Sequence, residues 1–276
     1  MQDKNKLIQL ARGKHIILLG PPGSGKGARA DDLKELGLVH VSTGEALRSK
    51  IKSEPSSPLA AEVLYFMKQG KLVPDNLVVQ VVFDYLESDK CLRNGFVLDG
   101  FPRNREQCRL LLSKYNIDLA VFLDVPVDFL YFGVIGCSRT ACVECGSGYS
   151  RFDPPLEEGI CSKCGGRLEK RVDDTGETIG KRINEFEKTI STFLPELKEK
   201  VEVKNLSITV EDDEIIDDTF LKKLDSDVYR TNDNGRMLRM LNNKGMKQRL
   251  YQLLDDCFEA QLRDSSLQAL DRNFPK

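Results

Sequence analysis

The sequence lacks a surplus of charge of either sign. Its 276 residues include 41 Lys and Arg against 43 Asp and Glu, which gives a formal net charge of -2. A protein that owes its affinity to many nucleic-acid phosphates carries a strong basic surplus. Bulk nucleic acid is therefore not an expected partner of this chain.

Long apolar runs are also absent. The longest apolar region, residues 119–137, is interrupted by Asp124, Pro126 and Asp128, whereas a membrane-spanning helix needs about 20 consecutive apolar residues. Residues 1–14 contain no apolar core of the kind that a secretory signal requires. The eight cysteines do not form a disulfide-scaffold pattern, which favours a reducing compartment. We expect a cytoplasmic rather than mitochondrial monomer without membrane contact.

Short apolar runs alternate with longer amphipathic segments, a pattern typical of an α/β protein with a parallel sheet. The runs predict five strands, at residues 15–19, 38–41, 96–98, 119–125 and 206–210. The amphipathic segments predict helices at residues 45–52, 58–69, 75–88, 105–115 and 177–201. Because Pro195 falls within the last of these, we expect that helix to be bent or broken there.

The carboxyl-terminal segment, residues 225–276, follows a different pattern. After a polar loop at residues 231–235, apolar side chains recur at helical spacing. They are Met246, Leu250, Leu253, Leu254, Phe258 and Leu262. The stripe fits either docking of this helix onto the core or binding of a partner, and the sequence leaves both open.

A phosphate-binding loop follows the first predicted strand. Residues 20–26 read GPPGSGK, which matches G-x-x-x-x-G-K between a strand and a helix. Glycines let backbone N–H groups converge on a phosphate, the helix start adds its dipole, and Lys26 supplies a mobile charge. A plain glycine turn between a strand and a helix requires neither this spacing nor the lysine.

Four motifs in order carry a family resemblance. The run GPPGSGKG at residues 20–27 resembles the phosphate loop of adenylate kinases and related nucleoside monophosphate kinases. The runs STGEALR at 42–48, GKLVPD at 70–75 and GFVLDGFPR at 95–103 are similar to further motifs of that family. The resemblance covers residues 14–224. It implies a P-loop-containing five-stranded parallel sheet flanked by helices, with a small helical AMP-binding segment and a lid.

The resemblance also implies a reaction and its ligands: reversible transfer of the terminal phosphoryl group of MgATP to AMP, giving two ADP, with lid closure over the donor. It assigns ATP binding to Gly23, Ser24, Gly25, Lys26, Gly27, Ala28, Arg139 and Tyr149. It assigns AMP binding to Thr43, Arg48, Lys71, Leu72, Val73, Gly100, Phe101, Pro102, Arg103, Gln107, Arg171 and Arg182.

Charge neutralisation and positioning carry such a reaction, because the phosphate oxygen of AMP is already an anion. Neither His15 nor His40 is therefore required. By resemblance, Asp99 orders the hydrated Mg²⁺ and Gln107 contacts the adenine edge. The catalytic cations implied are Lys26, Arg103, Arg139, Arg171 and Arg182.

Four cysteines have the spacing of a structural zinc site. They are Cys142, Cys145, Cys161 and Cys164, which form two C-x-x-C pairs separated by 15 residues. Four thiolates leave no open position for catalytic water, so we expect Zn²⁺ to stabilise the lid. A redox dithiol is the alternative, but two such pairs in one glycine-rich segment favour a single ion.

These motifs divide the chain into core pieces and insertions. We predict core at residues 1–41, 74–136 and 175–224. The AMP-binding segment comprises residues 42–73, the lid comprises residues 137–174, and residues 225–276 form a helical extension.

Two departures from the family pattern keep alternatives open. Ala28 stands where the family usually has Thr, and no Lys or Arg occurs between Lys114 and Arg139, where a basic residue usually leads into the lid. Gly27 also follows Lys26 where P-loop proteins place a magnesium-binding hydroxyl. A GTP:AMP phosphotransferase and a weakly active nucleotide-binding regulatory relative are therefore alternatives. A zinc-ribbon nucleic-acid binder is a third alternative, which the net charge disfavours.

Overall fold

The computed structural model describes residues 2–68, 73–125, 130, 140–145, 147–149, 155–170, 176–207, 209–211, 230–231, 237–240 and 243–272. The helices are α1 (Gln2–Ala11), α2 (Lys26–Lys34), α3 (Thr43–Ser53), α4 (Pro58–Lys68), α5 (Asp75–Leu86), α6 (Asp89–Asn94), α7 (Arg105–Lys114), α8 (Gly176–Lys200) and α9 (Asn243–Arg272). The strands are β1 (His15–Leu19), β2 (Val39–Ser42), β3 (Phe96–Asp99), β4 (Leu119–Asp124), β5 (Thr140–Cys142), β6 (Gly148–Tyr149), β7 (Leu168–Lys170), β8 (Val203–Ser207), β9 (Thr209–Glu211), β10 (Arg230–Thr231) and β11 (Met237–Met240).

Five parallel strands form the central sheet in the order β2-β3-β1-β4-β8, which confirms the predicted fold class. Two small antiparallel sheets accompany it, β6-β5-β7 and β10-β11-β9. The described helices include none that is long and apolar enough to cross a membrane.

The position of the last central strand corrects one prediction. We expected it at residues 206–210, but β8 covers Val203–Ser207 and residues 209–211 belong to β9 in another sheet. Lys204 and Asn205 are exposed and only Leu206 is buried, because β8 is an edge strand that pairs with β4 alone. An edge strand tolerates polar residues such as Lys204 and Asn205. The prediction followed the apolar run instead and therefore placed the strand three residues too far along the chain.

Alternating side chains of the strands supply two hydrophobic cores, one on each face of the sheet. Ile16 and Leu18 of β1 pack with α1, α2, α9 and the start of α8. Ile17 and Leu19 pack with helices α3 to α7 and the second half of α8. All four side chains are buried, which is the pattern of a parallel strand covered on both sides.

Helix α8 is not broken at Pro195. It runs without interruption over 25 residues. Phe193 and Leu197, on either side of the proline, are buried in the second core. Tertiary packing therefore retains the helix where the missing N–H weakens it.

The carboxyl-terminal helix α9 docks onto the core. Met246, Leu250, Leu254 and Phe258 are all buried among side chains of the first core, whereas Leu262 near the end of the stripe is 55% exposed. The docking alternative left open by the sequence is the one that the structure contains.

Polar contacts attach α9 to the core at two places, near its start and at Gln261. Near its start, Lys247 Nζ lies 2.6 Å from Glu35 Oε1 directly after α2, and the Tyr251 hydroxyl donates to the Asp32 carbonyl over 3.1 Å. Further along, Gln261 Nε2 donates to the Asp118 carbonyl over 3.0 Å, ahead of β4. The helix therefore braces α2, which begins at the phosphate-binding loop.

We expect Leu254→Ala to lower the free energy of unfolding by about 2–5 kcal/mol, since it removes a fully buried side chain and leaves a cavity. Urea unfolding followed by circular dichroism measures this change. Leu262→Ala, on the same helix but exposed, is the matched control and should stay within about 0.5 kcal/mol of the wild type. Equal effects of the two substitutions would contradict the docking of α9.

Candidate functional site

The candidate site lies where three neighbouring strands of the central sheet end. The phosphate-binding loop follows β1, Thr43 follows β2, and Asp99 is the last residue of β3. Asp99 pairs in register with Leu18 and with Ser42. Ligands of open parallel sheets bind beyond the carboxyl ends of the strands, so this edge is the expected place for one.

Glycine geometry shapes the phosphate-binding loop. Gly25 immediately precedes α2 with φ of +84°, and Gly20 has φ of +151°. A Cβ on Gly20 would lie 2.7 Å from Ser24 Oγ and 3.0 Å from Leu123 Cβ, so no side chain fits there. Lys26 Nζ donates to the carbonyls of Gly20 and Pro21 over 2.8 and 2.9 Å. The loop thus holds its ammonium group beside the start of α2.

Asp99 supplies an ionised carboxylate to this edge. Burial by itself would raise its pKa, but the neighbouring His40 imidazole and the positive charges of Lys26 and Arg103 outweigh that effect and lower the pKa below its ordinary value. His40 Nε2 lies 3.6 Å from Asp99 Oδ2. The carboxylate therefore remains charged at neutral pH and faces cations from two loops.

The Gly100 carbonyl joins two of the loops. It accepts a hydrogen bond from Thr43 Oγ1 at 2.8 Å and another from Arg103 Nε at 2.7 Å. Thr43 is buried, whereas Arg103 is exposed. One backbone oxygen therefore couples the start of α3 to the guanidinium that follows β3.

Gln107 is held in a polar cluster under this loop. Its Oε1 accepts from the Arg103 N–H at 2.8 Å, and its Nε2 donates to Asp75 Oδ1 at 2.6 Å. Asn104 caps α7 by accepting from the Gln107 N–H at 2.9 Å, and its Nδ2 donates to Asp75 Oδ2 at 2.7 Å. The Gln107 side chain is 2% exposed, so its orientation depends on these partners.

The remaining predicted site residues fall into two groups, those that the structure describes and those that lie outside the described residues. In the first, Arg48 is exposed on α3 with its guanidinium against Gly44, and Arg182 is half-buried on α8. The same group contains Phe101 and Pro102, which are buried, and Gly23, Gly27, Ala28 and Val73. The second group lies outside the described residues and comprises Lys71, Leu72, Arg139 and Arg171.

The four cysteines come together as their spacing predicts. The Sγ atoms of Cys142, Cys145, Cys161 and Cys164 all lie within 4.8 Å of one another. The Cys142–Cys164 and Cys145–Cys161 pairs are each 3.5 Å apart. Tetrahedral sulfur ligands at a Zn–S distance of about 2.3 Å are separated by about 3.8 Å. The cluster therefore fits one tetrahedral metal ion.

The surroundings of Cys161 favour its thiolate. Burial raises its pKa, but hydrogen bonding from Tyr149 and from the backbone of Lys163 and Cys164 outweighs burial and lowers the pKa to about 6. The Tyr149 hydroxyl lies 3.3 Å from Cys161 Sγ and the residue is buried. Tyr149, predicted to bind ATP, thus packs against the cysteine cluster in this structure.

An ion pair links the cysteine cluster to helix α2, which follows the phosphate-binding loop. Lys163, between Cys161 and Cys164, places its Nζ 2.5 Å from Asp31 Oδ2 on α2. Both side chains are about half exposed, at 50% and 41%, so the pair contributes little to stability. It does place the cluster on the same side of the molecule as α2.

Sequence reasoning missed two contributors to this site. The sequence assigns no role to His40, and it includes Asp75 only as the last residue of the GKLVPD run. His40 on β2 lies beside Asp99 on the neighbouring strand β3. Asp75 at the start of α5 contacts Gln107 on α7. Asp75 at the start of a helix could have drawn attention, but its partner lies 32 residues further along the chain.

Comparison with known proteins finds one family. A family model described as adenylate kinase matches residues 18–202. The adenylate kinase of Clostridium tetani is 38% identical over 210 residues, which cover 74% of this chain and 95% of the relative. That of Thermodesulfovibrio yellowstonii is 40% identical over 207 residues, covering 72% and 94%. About a quarter of this chain lies outside each of these matches.

We expect the cysteine cluster to bind one divalent ion per chain, because its four sulfurs already converge. Titration of metal-free protein with Co²⁺, which absorbs visible light in tetrahedral thiolate sites, measures the stoichiometry. Cys161→Ser should weaken binding by more than about tenfold. Cys257→Ala removes a buried cysteine outside the cluster and should leave binding unchanged; equal losses in both variants would contradict the assignment.

Proposed function

The chain belongs to the adenylate kinase family, and from that premise we propose that it reversibly transfers the terminal phosphoryl group of MgATP to AMP, giving two ADP. The observation that supports this most directly is the meeting of Lys26, Asp99 and Arg103 at one edge of the sheet. A P-loop ammonium, an ionised carboxylate and a second cation are the groups that phosphoryl transfer between two nucleotides requires.

Catalysis in this proposal rests on positioning and charge. The acceptor oxygen of AMP is an anion, so no side chain has to remove a proton from it. Lys26 neutralises the outer phosphates of the donor, while Arg103 and Arg182 hold the acceptor phosphate. By family resemblance Arg139 and Arg171 join them. Water must be excluded while the phosphoryl group moves, which is the role proposed for the cysteine-bearing lid over α2.

Magnesium bound with the nucleotide would supply positive charge that neutralises the charge developing on the phosphate groups. Asp99 fits the role of holding its water ligands, since its low pKa keeps the carboxylate ionised. The chain has Gly27 directly after Lys26, so no hydroxyl at that position contacts the ion. In the proposal, Asp99 is therefore the residue that holds the water ligands of the magnesium ion.

We propose that the ion held by the four cysteines is Zn²⁺ and that its role is structural. A site of four thiolates is closed to substrate and water. Among the described residues of this segment, the core consists of Cys142, Tyr149 and Cys161 with Leu168 against them, and a core of that size is too small to fold without a metal ion or another cross-link. Reduced thiols are needed for metal binding, and this supports the proposed cytoplasmic location.

Steady-state assays with ATP or GTP as donor and AMP as acceptor test the function and its nearest alternative. We expect AMP-dependent formation of ADP with ATP preferred. A preference for GTP would favour a GTP:AMP phosphotransferase instead. Nucleotide binding without turnover, unchanged in Ala28→Thr, would favour the weakly active regulatory relative and overturn the proposal.

We expect Lys26→Ala to lower kcat by about 100-fold or more, because it removes a preorganised charge at the transferring phosphate. Coupled measurement of ADP formation gives the rate. Lys34→Ala, on the exposed last turn of the same helix, is the matched control and should keep wild-type kcat. Comparable losses in both variants would indicate damage to α2 rather than a catalytic role.

A further inference from the structure

We propose that Asp75 determines the acceptor specificity by fixing which way the Gln107 amide faces, so that the site accepts adenine and rejects 6-oxopurines. This rests on the proposed function, which places Gln107 at the adenine edge. Asp75 is a positioning residue in this scheme, since it acts on the base through Gln107.

The polarity of the polar cluster is set by two backbone N–H groups. A backbone N–H only donates, so the atom of Gln107 that faces the Arg103 N–H must be Oε1. Likewise, the atom of Asn104 that faces the Gln107 N–H must be Oδ1. Each amide then has its NH₂ group on the other side. Both of these NH₂ groups point at Asp75, at 2.6 and 2.7 Å.

Only a carboxylate satisfies both amides at once. Asp75 offers two acceptor oxygens, and each receives one amide donor. An Asn side chain at this position would have to turn its own NH₂ toward one of the two donors. Asp75 itself is exposed, but Gln107 is 2% exposed, so water does not readily compensate for a mismatch that falls on the Gln107 amide.

The fixed orientation leaves a defined pattern for a base. The hydrogen bonds to Asp75 and Arg103 use one Nε2 hydrogen and one Oε1 lone pair of Gln107, so one donor and one acceptor of the amide remain for a base. Adenine presents an acceptor at N1 and a donor at its 6-amino group. Hypoxanthine presents a donor at N1 and an acceptor at O6, the reverse pattern. A correctly oriented Gln107 matches the first base and opposes the second.

Asp75→Asn tests this inference, because it is isosteric and removes only the second acceptor. The measurement is kcat/KM for AMP and for IMP, with ATP as the donor. We expect the wild type to prefer AMP and the variant to lose about tenfold or more of that preference. The loss should come through KM for AMP, with KM for ATP unchanged.

Two further variants keep the test decisive. Asp89→Asn removes an acid from the first turn of the neighbouring helix α6, where its side chain is 91% exposed, and should retain the wild-type preference. Asn104→Asp keeps the cap on the Gln107 N–H but sets a second carboxylate against Asp75, so it should also reduce the preference even if Asp75→Asn does not fold.

The outcomes separate this inference from the proposed function. Turnover of AMP and IMP reduced by the same factor in both Asp75→Asn and Asn104→Asp would indicate a merely structural role and overturn the inference. A wild type that does not distinguish AMP from IMP would overturn it as well. In either case AMP turnover by the wild type would leave the proposed function standing, whereas its complete absence would overturn the function itself.

Discussion

Parallel pairing between β1 and β3 is the constraint on which the site depends. It places Leu18 opposite Asp99, so that the loop after one strand and the carboxylate at the end of the other open at the same edge. β2 extends the same register through Ser42. Two hydrophobic cores, one on each face, hold this alignment. Lys26, Thr43 and Asp99 lie at this edge because they stand at the ends of these strands or in the segments that follow them.

Charge is concentrated at that edge in a chain that is nearly neutral. His40, Lys26 and Arg103 together outweigh the desolvation of the half-buried Asp99 carboxylate and lower its pKa. Hydrogen bonds from Thr43 and Arg103 to one carbonyl then connect the charged edge to α3. Beneath it, Asp75 and Asn104 orient the buried Gln107 side chain through hydrogen bonds.

Two peripheral elements support this centre by different means. Helix α9 buries apolar side chains against α1, α2 and the sheet, so its stabilisation comes from removal of apolar surface from water. Among its described residues, the cysteine segment has a core of four side chains, so its stability in the proposed function comes from a metal ion held by the four cysteines. Both elements reach α2, the first through Tyr251 and the second through Lys163. The first contact helps to hold the helix that follows the phosphate-binding loop, whereas the second, between exposed side chains, only places the cysteine segment beside it.

Much of this architecture was determined by the sequence alone, because local patterns carry it. The buried run of β1, the glycine spacing before Lys26 and the paired cysteines predict their own conformations, and the strand alternation predicts the parallel sheet. Only the tertiary structure decided that α9 docks on the core, that β8 begins at Val203, and that His40 and Asp75 reach Asp99 and Gln107. These features depend on contacts between residues far apart in the chain, and no local pattern specifies which distant side chain a polar group will meet.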